Sequence, residues 1–459
     1  MTSRHTLYLL LAFAAASGLT FAAPAVRAQQ GANPGPVGGV AQFNVGEAPP
    51  ERSSVTTRLT FQELWNSNPG YAATTTSGQG DEVTSIAGGF TLQAVNRNSV
   101  FSMFDSTSGL IYDQQSQPNT LVEQFNVTER LTLRRWNLLF GENFSYLPNS
   151  AFGLGGLGFT GSGTTGLPGI GGGTGFNPYY VPTQTIESPN VSQVSTATVV
   201  QAQYAINPTS SVNFSGTVGF LRYLGSDLLD SRNVTARFGY DKSFTEKDTI
   251  SLSYMASILD YPSGMPGFTS HYVQLGYRRH LRQRLFLSLS AGPAISQFSP
   301  QAGQTTVPGG ATRVDWSTFS TLSYSSRNAT VSTQYTHGVS AGSGYLPGAS
   351  SDQLSVSLTR QASRVWMVGF SGGYARNSSL EQTSAPGMAG TTSIFNTWFG
   401  GASLSRPIGH FSNFRFFYNA SRQTGNATMC VGGISCGPVA LTQTAGMSFM
   451  WSSRPMPID

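Results

Sequence analysis

From about residue 85 to its end the chain repeats one unit, roughly 10 to 15 residues of apolar–polar alternation followed by a connection. In 249–258, Ile250, Leu252, Tyr254, Ala256 and Ile258 fall on one face. Thr249, Ser251, Ser253 and Ser257 fall on the other, with Met255 as the exception. The same pattern, with one apolar exception on the polar face, recurs in 284–291 (Leu285, Leu287, Leu289, Ala291), 366–374 (Trp366, Val368, Phe370, Tyr374) and 413–421 (Phe414, Phe416, Tyr418, Ala420). Successive side chains of a strand point to opposite faces, so alternation of this length sets one face in an apolar medium and the other in water. Globular strands average about 5–6 residues, whereas a strand crossing a bilayer at a tilt needs about 9–11. These segments match the second length.

Connection lengths give an independent signal. Short ones (Arg134-Arg135, Asn207-Pro208-Thr209, 243–248, 280–283, 326–328, 361–363, 405–410) alternate with longer ones at 148–190, 223–229, 260–268, 298–311, 341–350, 377–391 and 423–438. Membrane barrels of the outer-membrane type have short periplasmic turns and longer extracellular loops. The sequence therefore predicts an all-β fold, a transmembrane antiparallel up-and-down β-barrel. Fifteen segments from 120 onward and one at 99–108 make 16 strands; 85–95 and 54–63 raise the alternative to 18.

Composition agrees. Only 10% of residues are charged, against about 25% in soluble domains, and a lipid-facing wall with a Ser/Thr/Asn/Gln-lined lumen needs few. No run in the mature chain approaches the ~18 apolar residues of a spanning helix. At the N-terminus, Arg4, the apolar stretch Thr6 to Ala23 and Val26-Arg27-Ala28 have the layout of a cleaved signal peptide over 1–28. Residues 29–84 read as a largely flexible periplasmic lead-in, with a first strand at 54–63 as an option, and 85–459 as the barrel. Removing Arg4 and Arg27 leaves 24 basic residues against 21 acidic, too small an excess to argue for nucleic acid. Cys430 and Cys436, in an exported chain, are expected to form a disulfide that staples one loop.

In its repeating hairpins over 85–459 the chain resembles Gram-negative outer-membrane β-barrels. The stretch Trp136 to Phe152, WNLLFGENFSYLPNSAF, and the Gly-rich segment after it are similar to porin-like barrels of environmental bacteria such as acidobacteria. Such barrels commonly finish on an aromatic residue; here Phe449 and Trp451 lie on the final strand but Ser452 to Asp459 follow.

Few residues suggest chemistry. Gly369-Phe370-Ser371-Gly372-Gly373 fits the nucleophile-elbow pattern, but it lies inside an alternating strand with no helix after it, so no catalysis is expected. His271, His280, His337 and His410 lack metal-ligand spacing and read as solvated turn or interface residues. No metal or cofactor is expected. Charged residues assigned to polar strand faces, Arg237, Asp241, Arg278, Arg360 and Arg415, are the candidate pore lining, since rings of charge set ion preference. The long 148–190 loop is expected either to enter the lumen or to cap its mouth. The leading functional expectation is a porin-like channel for passive diffusion of small polar solutes in the outer membrane. The alternatives are a component of an exopolysaccharide or other export system with periplasmic partners, and a structural or adhesive surface barrel. Outer-membrane lipid and a second copy of the chain are the other expected partners.

Overall fold

The computed structural model describes residues 52–68, 80–114, 118–147, 186, 191–225, 228–262, 265–282, 284–298, 312–340, 344–380, 393–425 and 439–458. The signal peptide expected at 1–28 and the pair Cys430 and Cys436 lie outside them.

Eighteen long strands follow one another: β1 (Ser54–Asn66), β2 (Asp81–Val95), β3 (Ser99–Tyr112), β4 (Thr120–Thr132), β5 (Trp136–Leu147), β6 (Ser192–Asn207), β7 (Ser210–Leu224), β8 (Ser231–Ser243), β9 (Asp248–Asp260), β10 (Phe268–Arg282), β11 (Leu285–Phe298), β12 (Thr312–Ser325), β13 (Ala329–Ser340), β14 (Ala349–Gln361), β15 (Met367–Ser379), β16 (Ile394–Ile408), β17 (Ser412–Gly425) and β18 (Val439–Ser452). Each pairs antiparallel with its sequence neighbours, and β1 closes on β18 with Phe61 opposite Phe449. A two-residue segment, Met456–Pro457, adds to the start of β1. Closure leaves the sheet no free edge, which is what a strand-built wall in lipid requires.

The count is therefore 18, the alternative that the sequence offered, in place of 16. The first strand begins at Ser54, in the segment offered as an optional strand at 54–63. The first two strands are hard to read because β2 carries Gly88-Gly89 at its centre, which interrupts the alternation. Gly89 is needed there: a Cβ would sit 2.5 Å from the Asp105 carbonyl oxygen.

Eight connections of two to five residues gather at one rim, and nine of six to 44 residues at the other. At the short-turn rim, side chains take over backbone donors that the ladder cannot serve. Asn207 Oδ1 accepts from the Thr209 N–H at 3.0 Å, Ser326 Oγ from the Ala329 N–H at 3.1 Å and Ser363 Oγ from the Trp366 N–H at 3.2 Å.

The two wall faces differ in chemistry. Leu59, Ile86, Phe238, Leu252, Leu275 and Phe370 are exposed on the outside. The inside carries hydroxyls that pair between adjacent strands: Ser145 with Ser195 and Ser270 with Ser296, both at 2.7 Å, and Ser332 with Ser357 at 2.8 Å. All six tryptophans stand near one rim or the other. Trp136, Trp366 and Trp451 lie at the short-turn rim, and Trp65, Trp316 and Trp398 toward the long-connection rim. Amphipathic rings concentrate at the two interfaces of a membrane in this way.

On the outer face of β1 to β5 a group of carboxylates interrupts the apolar belt. Glu63, Asp105, Glu123, Glu129 and Glu142 share that face's parity, and two of them take hydroxyl donors from neighbouring strands, Thr84 to Glu63 and Thr198 to Glu142.

Candidate functional site: the lumen

Inward parity places Arg58 of β1, Arg130 of β4, Arg237 and Asp241 of β8, Arg278 of β10 and Arg415 of β17 in the lumen. Apart from Arg237, which is mid-strand, each lies within five residues of the short-turn rim. That half of the lumen is basic.

Three of the residues singled out from sequence come together. Arg278 Nη2 is 3.3 Å from Asp241 Oδ1, whose other oxygen accepts from Asn213 Nδ2 at 2.9 Å. Arg237, four residues before Asp241 on the same face, donates from Nη2 to Ser253 Oγ at 3.1 Å. Arg415 stands apart from this group, two strands from Arg58. Neither Arg58 nor Arg415 has an ion-pair partner among the described residues. The Nε groups of Arg58 and Arg237 also have no protein acceptor there. These two Nε groups are buried, so what the wall carries toward the lumen is the positive charge of the guanidinium groups.

Arg360 is different. It shares the face of Leu354 and Val356, both exposed on the outside, and sits at the short-turn end of β14. Its parity in 351–360 matches those apolar residues, so alternation itself sets it outside the pore.

Toward the long-connection rim the lumen is narrowed by a segment that sequence reasoning passed over, residues 344–348 between β13 and β14. Tyr345 and Leu346 are buried in one cluster with Leu221 and Tyr223 of β7, Leu228, Phe395 of β16 and Ile186. Since β7 lies six strands around the wall from β13, the segment crosses the interior. Gly344 and Gly348 make the crossing feasible. Both have positive φ (78° and 87°), which a side chain disfavours. A Cβ at Gly344 would lie 2.6 Å from the Tyr223 ring, and one at Gly348 2.7 Å from the Phe268 ring. The signal was present as Gly-Tyr-Leu-Pro-Gly, an aromatic and an aliphatic residue flanked by glycines in a connection otherwise read as a surface loop. Of the 148–190 loop, Ile186 alone is described, and it joins this interior cluster.

Ser371 of the Gly-Phe-Ser-Gly-Gly stretch lies inside the continuous strand β15, paired with Ser357 and Gly401. His337 departs from the expectation of a solvated histidine. It is 8% exposed, with Nδ1 2.7 Å from Asp352 Oδ1 and its ring stacked on Trp316.

A closed 18-strand wall with an apolar outer belt, aromatic rims and a polar, partly basic interior defines a membrane-spanning β-barrel whose lumen suits water and polar solutes. Among the solved structures that align over most of the chain are three at low identity. They are OccAB3 of Acinetobacter baumannii (9% identity, TM-score 0.44, covering 87% of this chain and 99% of that one), the outer membrane protein OpdK of Pseudomonas aeruginosa (10%, 0.42, 87% and 99%), and Pseudomonas aeruginosa OccK2 (OpdF) in complex with glucuronate (10%, 0.43, 88% and 98%). No family model matches the sequence, and no curated protein does.

Proposed function

We propose that this barrel is an outer-membrane channel for the passive diffusion of small polar solutes, with a preference for anions. The short-turn rim is then periplasmic and the long-connection rim extracellular. The observation that carries the proposal is the excess of arginine over carboxylate on the lumen wall: Arg58, Arg130, Arg237, Arg278 and Arg415 against Asp241 in the periplasmic half. Selection would follow from lumen charge and from the narrowing at Tyr345 and Leu346, with no energy input. That narrowing favours small solutes over an exported polymer. The carboxylates on the outer face of β1 to β5 favour a protein neighbour there over lipid, which supports a homo-oligomer.

The test is conductance of the purified, folded protein in a planar bilayer. Discrete steps with a reversal potential on the anion side in a salt gradient are expected. A folded protein that never conducts overturns the proposal.

A further inference from the structure

Among the described strands the β12–β13 ladder is the shortest in the wall. β12 pairs with β13 only from Thr318 to Ser325, against Thr330 to His337. Above that point β12 continues along β11 through Gln297↔Thr312, and β13 continues along β14 to Ser340↔Ala349. The tops of β12 and β13 have therefore parted, and the β13–β14 hairpin leads directly into the 344–348 segment inside the lumen. On its other side this hairpin remains zipped to β15 as far as Ala349↔Ser379, and the Leu380 N–H donates to the Gly348 carbonyl at 3.2 Å.

Side chains fill the seam where the backbone ladder is missing. The Asp315 carboxylate accepts from the Trp316 N–H at 2.9 Å. Its two oxygens also meet His337 Nε2 at 3.4 Å and the Ser350 hydroxyl at 3.4 Å. On the other side of the same ring, Nδ1 is 2.7 Å from Asp352 Oδ1. The Trp316 ring covers the imidazole at 4.3 Å and 12° from parallel. His337 thus joins a carboxylate of β12 to one of β14 across the gap. The remaining polar groups around it are Arg313, 3.5 Å from Asp315, the Tyr335 hydroxyl, which donates to Asp352 at 2.9 Å, Arg376 opposite Asp352 on β15, and the buried Tyr272 of β10.

We propose that Asp315, His337 and Asp352 form a pH-sensitive latch that holds the in-turned β13–β14 hairpin, and with it the 344–348 constriction, against β12. A charged imidazole donates from both nitrogens, one to each carboxylate; a neutral one has a single N–H, so one contact is lost and the two carboxylates face each other across a neutral ring. The latch is closed at acidic pH and loosens as pH rises. Its effect on current rests on the channel reading, but the movement of the segment does not.

The test compares the full-length protein with H337Q, which keeps one donor and one acceptor but cannot gain a proton. Amide hydrogen exchange is followed in lipid at about pH 5 and about pH 8.5, which bracket histidine titration. After correction for intrinsic rates, amides of 344–350 in the wild type are expected to exchange about tenfold faster at the higher pH, the loss of one hydrogen bond to a charged group. In H337Q the rate is expected to be fast and equal at both. Single-channel conductance should follow the same pattern. Equal protection at both pH values in the wild type, or an H337Q protein that keeps the pH step, overturns the latch. A pH-dependent exchange step in a protein that never conducts would overturn the channel and leave the latch standing. A gel shift on heating confirms that H337Q is folded before either measurement.

Discussion

The Leu229 N–H donates to the Gly344 carbonyl at 3.0 Å, tying the connection after β7 to the connection after β13. The bond fixes a chain segment across the interior of the barrel and brings Tyr345 and Leu346 against the opposite wall. Replacing both by alanine should widen the pore, so single-channel conductance should rise. Truncating a buried leucine also costs about 2–5 kcal/mol where the site cannot collapse, so the variant should unfold at lower denaturant. Unchanged conductance would place the narrowest point elsewhere.

Lumen charge should set ion preference. Arg58→Gln with Arg415→Gln removes two cations that have no carboxylate partner among the described residues, and the reversal potential in a salt gradient should move toward zero. Asp241→Asn should move it the other way, because Arg278 loses its partner at 3.3 Å. Both effects should shrink as salt rises from about 0.1 M to about 1 M, where the screening length falls from about 10 Å to about 3 Å.

The two faces of β10 should respond differently to the same substitution. Leu275 is 62% exposed on the outer belt, and Leu275→Arg should cost about 2–4 kcal/mol in lipid near the bilayer midplane. Gln274 next to it points inward and donates to Ser317 at 3.0 Å. Gln274→Arg should cost about 1 kcal/mol, the worth of that hydrogen bond. Denaturant unfolding in lipid vesicles measures both.

Two expectations concern the covalent chain. N-terminal sequencing of protein from the membrane should begin at Gln29, and intact mass should increase by two hydrogens on reduction of a Cys430–Cys436 bridge. A start at Met1, or no change in mass, would contradict them.

Most of the wall was legible from sequence because a strand's period is set by its backbone, and each hairpin repeats it. The exceptions are local. β2 was legible only as the optional segment 85–95, because Gly88-Gly89 removes side chains from the alternation. Arg360 was assigned to the pore by its charge, although its position matches Leu354 and Val356 on the outer face. The lumen constriction and the His337 latch were not legible. Both depend on which strands stand opposite one another after closure, as Tyr345 meets Tyr223 and Asp315 meets His337 only when β7, β12, β13 and β14 are assembled. Arg58 could have been found, since it alternates with Leu59 and Phe61 in a segment treated only as an optional strand.

The most direct measurement places single spin labels, one at a time, from Ile250 to Ile258 of the protein reconstituted in lipid, and reads collision with oxygen and with a water-soluble nickel chelate. Positions 250, 252, 254, 256 and 258 should be reached by oxygen and 251, 253, 255 and 257 by the chelate, in opposite phase along β9. Equal access of both reagents along the strand, or a maximum recurring every three to four residues, would contradict a wall with hydrocarbon on one side and water on the other.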